Sequence, residues 1–172
     1  MRAGVVGQQL GEVAAQRRSA AGLDDPRAHA VASGTFTLAE VLTGRAPVKP
    51  RDGWEAPSLA DVTAVVQPHC HQYSTAGFAA DRELMAAAGA TITEASGCCG
   101  LAGNWGTERG HYDTSVKVAE NSLLPALRDA PEGSVYIADG ISCRTQAADL
   151  AGVSGRHLAE LMVERLAGPV AD

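Results

Sequence analysis

Aromatic side chains are scarce in this 172-residue chain, at 4% of the sequence. A core must therefore be assembled mainly from Ala, Val and Leu. Basic charge is also in deficit: 14 Lys and Arg stand against 20 Asp and Glu, a formal net charge of -6. That balance argues against nucleic acid or an anionic membrane surface as the main partner. No apolar run approaches the ~20 residues that span a bilayer. The opening MRAGVVGQQLGEVAAQRR is too polar for a signal peptide and has no clear cleavage site. The expected compartment is the cytoplasm, where thiols stay reduced. Also missing are a P-loop, an H-E-x-x-H pair, a Ser-His-Asp arrangement and a dinucleotide-binding glycine fingerprint directly after a strand. The chain gives little support for a self-sufficient hydrolase or transferase.

What is present is a change of rhythm partway along. Val5, Val6, Leu10, Val13 and Ala14 share a helical face, which predicts a helix over about residues 5–18. Gly22 to Arg27 reads as a loop. Thr37-Leu-Ala-Glu40 is a capping-box pattern opening a short helix that stops at Gly44. The proline-rich APVKPRDGWEAPS then reads as linker or surface loop. Three short strands are expected at 62–66, 90–95 and 134–138, with helices at 75–88, 112–127, 143–150 and 156–167. Pro125 marks a kink or restart. Alternating strands and helices imply an α/β fold: three layers, a short parallel sheet with flanking helices in Rossmann-like βαβ units. The expected division is a helical extension and linker over 1–60, a cysteine-bearing domain over 61–168 and a tail over 169–172.

The four cysteines fall where this pattern makes them informative. Cys70 follows the first strand in Gln67-Pro-His-Cys-His71. Cys98 and Cys99 follow the second in Ser96-Gly-Cys-Cys-Gly100, and Cys143 follows the third in Asp139-Gly-Ile-Ser-Cys143. All four are thus expected on loops leaving the carboxyl ends of parallel strands, which share one edge where ligands bind. Helices are expected to begin soon after Cys70 and Cys99 and at about Cys143, and their N-termini favour anionic groups. Gly97, Gly100 and Gly103 permit unusual backbone angles and close approach to a bulky cofactor. Adjacent Cys98 and Cys99 suit a cofactor with several metal corners better than one tetrahedral zinc. Zinc, and plain buried cysteine, remain the alternatives at this point.

The segments His69-Cys-His-Gln72, Gly97-Cys-Cys-Gly-Leu-Ala-Gly103 with His111-Tyr-Asp113, and Ala138-Asp-Gly-Ile-Ser-Cys-Arg-Thr-Gln146 resemble the cysteine-rich CCG domain. That domain occurs in heterodisulfide reductase, in the iron–sulfur subunits of glycolate oxidase and anaerobic glycerol-3-phosphate dehydrogenase, and at the C-terminus of FAD-linked dehydrogenases. The likeness spans roughly residues 60–166, more faintly the LDDPRAHAVASGTFTLAEVL stretch, and is nearest the FAD-linked type. It implies an electron-transfer domain carrying an iron–sulfur cluster of the 4Fe–4S kind, with Cys70, Cys98, Cys99 and Cys143 matching the ligand positions. It further implies a flavin-containing dehydrogenase domain or subunit as partner, FAD being held there or in a region outside this sequence. A second CCG-type domain is a further implied partner, as is an electron acceptor at a membrane periphery. The substrate class implied is a 2-hydroxy acid or similar small organic acid. The fullest family pattern ends in C-x-x-C, whereas Gln146 stands at the second of those positions here. The chain resembles the C-terminal piece of a longer polypeptide, or a solitary descendant of one.

Several neighbours are candidates beside the thiols. His69 and His71 could ligate a metal corner or donate to cluster sulfur, or be ordinary loop histidines. Gln146, one turn after Cys143, could donate to a thiolate. Trp105, His111 and Tyr112 could shield a cofactor or simply pack helices. Asp139 is expected to brace its loop by an Asx-type bond, and His29 and His157 to be surface or capping residues.

Overall fold

Short β-branched runs bounded by turn residues set the sheet. In the computed structural model, which describes residues 22–167, they form β1 (Thr63–Val66), β2 (Thr91–Glu94), β3 (Val135–Ile137) and the two-residue β4 (Gly155–Arg156). The predicted helix at 5–18 and the tail at 169–172 lie outside the described residues. The strands pair in the order β2-β1-β3-β4, all parallel, with Val65 opposite Thr93 on one side and Tyr136 on the other. The fold is therefore α/β with a parallel sheet flanked by helices, as the alternating pattern implied.

Side chains alternate across the sheet with period two and build two cores. Ala64, Val66 and Ile137 enter one, with Leu84, Met85 and Leu161. Val65, Tyr136 and Ala138 enter the other, with Leu123, Ala147 and two of the cysteines, Cys99 and Cys143. The helices are α1 (Pro26–Gly34), α2 (Leu38–Leu42), α3 (Cys70–Thr75), α4 (Ala79–Ala87), α5 (Tyr112–Glu120), α6 (Leu123–Arg128), α7 (Ile141–Ala151) and α8 (Leu158–Ala167). A 3-10 turn spans Trp105–Thr107.

Five departures from the sequence expectations have local causes. Residues 26–34 form α1 rather than extending the loop: Asp25 accepts from the Arg27 amide and Pro26 occupies the first turn. The predicted helix at 75–88 starts only at Ala79, beyond Gly77 with φ 75°, and a separate short helix occupies Cys70–Thr75 before it. The predicted helix at 112–127 breaks at Asn121–Ser122, and Pro125 sits harmlessly in the first turn of α6. β4 was not expected, since two residues carry no periodicity. Finally, no helix begins directly after Cys99; the 3-10 turn comes first and α5 starts only at Tyr112. The Thr37–Glu40 capping box is present in both directions, and Gly44 ends that helix at φ 74°.

Candidate functional site

The strand order reverses direction between β1 and β3, so the crevice at their carboxyl ends is the switch point of the sheet. All four cysteines are brought to this end. Cys70 is the first residue of α3 and Cys143 the third of α7, so these two lie on first helical turns rather than in loops. Cys98 and Cys99 follow β2 in the glycine-rich segment. The thiols are free; Cys70 is exposed, Cys98 half-buried, and Cys99 and Cys143 buried.

Electrostatics gives the clearest measure of their proximity. The Cys143 thiol is pushed far up, first by the hydrogen bond it makes to Cys99 and then by burial, with Cys99, Cys70 and Cys98 all adding charge repulsion. Cys98 is raised by burial and by Cys99 and Cys70. Cys99 moves the other way. The Cys143 hydrogen bond holds it well below the usual thiol range, and the backbone amides of Leu101 and Ala102 assist. The proton shared by this pair thus stays on Cys143, and Cys99 carries the first thiolate.

The glycines shape this pocket. Gly97, Gly100 and Gly103 have φ of 82°, 95° and 77°, and Ala102 between them is forced to 48°. These left-handed angles fold the segment tightly around the two cysteines. The Gly100 amide donates to Cys98 Sγ at 3.3 Å, and the Gly103 amide donates to Ser142 Oγ at 3.2 Å, tying the segment to α7 beside Cys143. Gly100 and Gly106 also let the segment lie directly on Ser115; a Cβ on Gly106 would stand 2.9 Å from Ser115 Cβ.

The histidines divide. His69 packs its ring on Gly140, where a Cβ would come within 2.8 Å of His69 Cγ, and its pKa is lowered mainly by burial and then by His71. His71 Nε2 is buried without a hydrogen-bond partner, an orphaned polar atom beside Cys70. Gln146 is buried and donates through Nε2 to Ser115 Oγ at 2.9 Å. Trp105 stacks on His111 with ring centroids 4.4 Å apart, and Tyr112 is exposed. In place of the expected Asx-type bond within its own loop, Asp139 Oδ1 accepts from the Leu158 amide at 2.9 Å and so holds the start of α8. His157 is buried rather than on the surface. Its Nδ1 accepts from the Ala159 amide, so the 3.4 Å approach to Asp139 is contact rather than ion pairing.

Sequence reading missed Gln67. Its side chain is fully buried at the end of β1, and Nε2 donates both to the Pro68 carbonyl at 3.2 Å and to the Gly97 carbonyl at 2.9 Å. One amide thereby clamps the segment before Cys70 to the segment before Cys98. Nothing in the sequence marks it except its place between strand and cysteine.

Four free thiols and an orphaned imidazole nitrogen next in sequence to Cys70 are therefore the chemically reactive groups at this end of the sheet. Among the described residues, no group of three His, Cys, Asp or Glu donors converges closely enough to hold one metal ion. Among the same residues no helix is long and apolar enough to cross a membrane.

Fold and site together define an α/β domain with a thiol pole at the switch point of its sheet. The particular likenesses are partial. The chain is 33% identical over 82 residues to D-2-hydroxyglutarate dehydrogenase of Escherichia coli, covering 47% of this chain and 8% of that protein. It is 34% identical over 73 residues to D-2-hydroxyglutarate dehydrogenase of Pseudomonas putida, covering 42% of this chain and 7% of that protein. The chain thus spans less than a tenth of the length of these curated relatives. No family model and no solved structure matches it.

Proposed function

We propose that this chain is an iron–sulfur electron-transfer domain working with a flavin-containing dehydrogenase that oxidises a 2-hydroxy acid. The observation that carries the proposal is the placement of Cys70, Cys98, Cys99 and Cys143 on the three segments that leave the carboxyl ends of the parallel strands β1, β2 and β3. These four residues would hold the cluster, and the Gly100 amide already donates to one of their sulfurs, Cys98 Sγ. A bound cluster of this kind supplies a one-electron relay between a reduced flavin and a further acceptor. The substrate class rests on the partial likeness to two D-2-hydroxyglutarate dehydrogenases.

The chain's own residues have separate tasks. Cys99 is ready as a thiolate before any metal arrives, because Cys143 and backbone amides stabilise its charge. Buried Cys99 and Cys143 exclude water from one side of the site, whereas exposed Cys70 lies toward the outside, where a donor or acceptor can approach. Gln67 keeps the two cysteine segments in register. Adjacent Cys98 and Cys99 suit a group with several metal corners better than one tetrahedral zinc.

Anaerobic purification with iron and sulfide analysis and low-temperature EPR tests the reading. Iron and sulfide bound together, with a reducible paramagnetic signal, support it. A folded chain that binds neither after reconstitution, or that takes up one zinc instead, overturns it.

A further inference from the structure

Between the carboxyl ends of β1 and β3 lies a cavity of about 10 Å³, room for a single water. Its lining includes Val66, Ile137 and Phe78, and four polar side chains: Gln67, Gln72, Asp81 and Asp139. Gln67 is 2% exposed, and its Oε1 has no hydrogen-bond partner. Its Nε2, as described, is committed to the two cysteine-bearing segments. Asp81 is 5% exposed, on α4. Gln72 Nε2 donates to Asp81 Oδ2 at 3.1 Å. The neighbouring cation does not serve it, since Arg82 pairs with Glu94 at 2.7 Å. Direct bonding between a buried carboxyl and an orphaned buried carbonyl oxygen on one small cavity requires the acid to carry its proton, whereas an ionised carboxylate reaches that oxygen only through a water that donates to both. A protonated carboxyl donates one hydrogen bond, directly or through a water, and the Gln67 oxygen can accept it.

We propose that Asp81, with Gln67 and one water in this cavity, is a proton-uptake site that offsets the charge of an electron added to the thiol pole. The second half rests on the proposed function. A reduced flavin gives up one electron, which adds one negative charge beside the cysteines. One proton from solvent converts the Asp81 carboxylate to the acid, and the domain's net charge is unchanged. The acid then bonds toward Gln67, whose amide holds both cysteine segments.

The groups facing Asp81 set its affinity for the proton. Burial is the largest influence and pushes its pKa up to about 7; the charge of Asp139 at the end of β3 acts in the same direction, and that of Glu40 on α2 adds to it. The Gln72 bond from α3 opposes them.

Two measurements on the full chain test the proposal. The first follows the Asp81 carboxyl carbon by NMR between pH 5 and pH 9 in the metal-free protein. A midpoint close to neutral supports the proton site; a carboxylate already ionised at pH 5 overturns it. The second compares the reduction potential of the reconstituted chain with that of Asp81→Asn across the same range. Asn keeps an acceptor for Gln72 and permanently offers a donor to Gln67. A potential that falls with rising pH in the wild type and is flattened in D81N supports the coupling; equal slopes overturn it. A chain that binds no iron or sulfide overturns the proposed function and the coupling together, while the NMR midpoint still decides the proton site.

Discussion

At the residue scale, the thiols differ in ways that chemistry can read. Cys70 is exposed and Cys98 half-buried, whereas Cys99 is 4% and Cys143 2% exposed. Alkylation of the metal-free chain under native conditions should therefore label Cys70 first and Cys98 next. Cys99, although it carries the first thiolate, should resist with Cys143 until the chain unfolds, because access limits its reaction. Peptide mass mapping over a time course gives the order. In the reconstituted protein Cys70 should become protected despite its exposure, which plain burial cannot explain. Asp81 gives a second residue-scale expectation. Its folded pKa lies near 7, above its ordinary value of 3.8. Below about pH 4 both folded and unfolded chains hold that proton, so the stability it confers is fully present there. It is lost as pH rises through about 7, by up to roughly 4 kcal/mol. Denaturant titrations at pH 4 and pH 8 should show wild type losing stability relative to Asp81→Asn across that interval.

At the scale of elements, the loop after β2 depends on contacts that admit no side chain. Gly100, at φ 95°, lies against the backbone of Ser115, with a Cβ position 3.1 Å from the Ser115 carbonyl carbon and closer still to its oxygen. Gly100→Ala should cost about 2–4 kcal/mol through overlap and left-handed strain, and should displace both adjacent cysteines. Circular dichroism melts paired with iron uptake would show both effects; an alanine variant with unchanged stability would contradict the packing. The positions of β1, β2 and β3 were legible in the sequence because apolar β-branched runs end at turn residues. The gathering of the cysteines at one edge followed from that reading. Other features were not legible. The late start of α4 beyond Gly77 and the delayed start of α5 leave no mark in the apolar spacing. Gln67 looked like any polar loop residue, and Gln146 like a solvent-side or thiol-side donor. The structure instead brings Gln146 to Ser115 across a long sequence separation, joining α7 to α5.

At the scale of the molecule, a core with few aromatics has two cysteines built into it. Cys99 and Cys143 pack with Val65, Leu101, Leu123 and Tyr136, so the thiol pole is continuous with one of the two hydrophobic cores. A cofactor held there binds only the folded chain, because the unfolded chain does not bring the four thiols together. Its binding free energy therefore adds to folding stability. Anaerobic reconstitution should raise the thermal midpoint of the wild-type chain by several degrees or more. Cys143→Ser, close to the native residue in size, should retain the metal-free fold but abolish that rise. It removes a sulfur from the pole while leaving the Tyr136 hydroxyl bonded to the residue-143 carbonyl at 3.2 Å. Differential scanning calorimetry of both proteins, each before and after reconstitution, separates the two contributions. Equal rises in wild type and variant would show that the cofactor is held elsewhere. No rise in either would show that the four thiols serve the core alone.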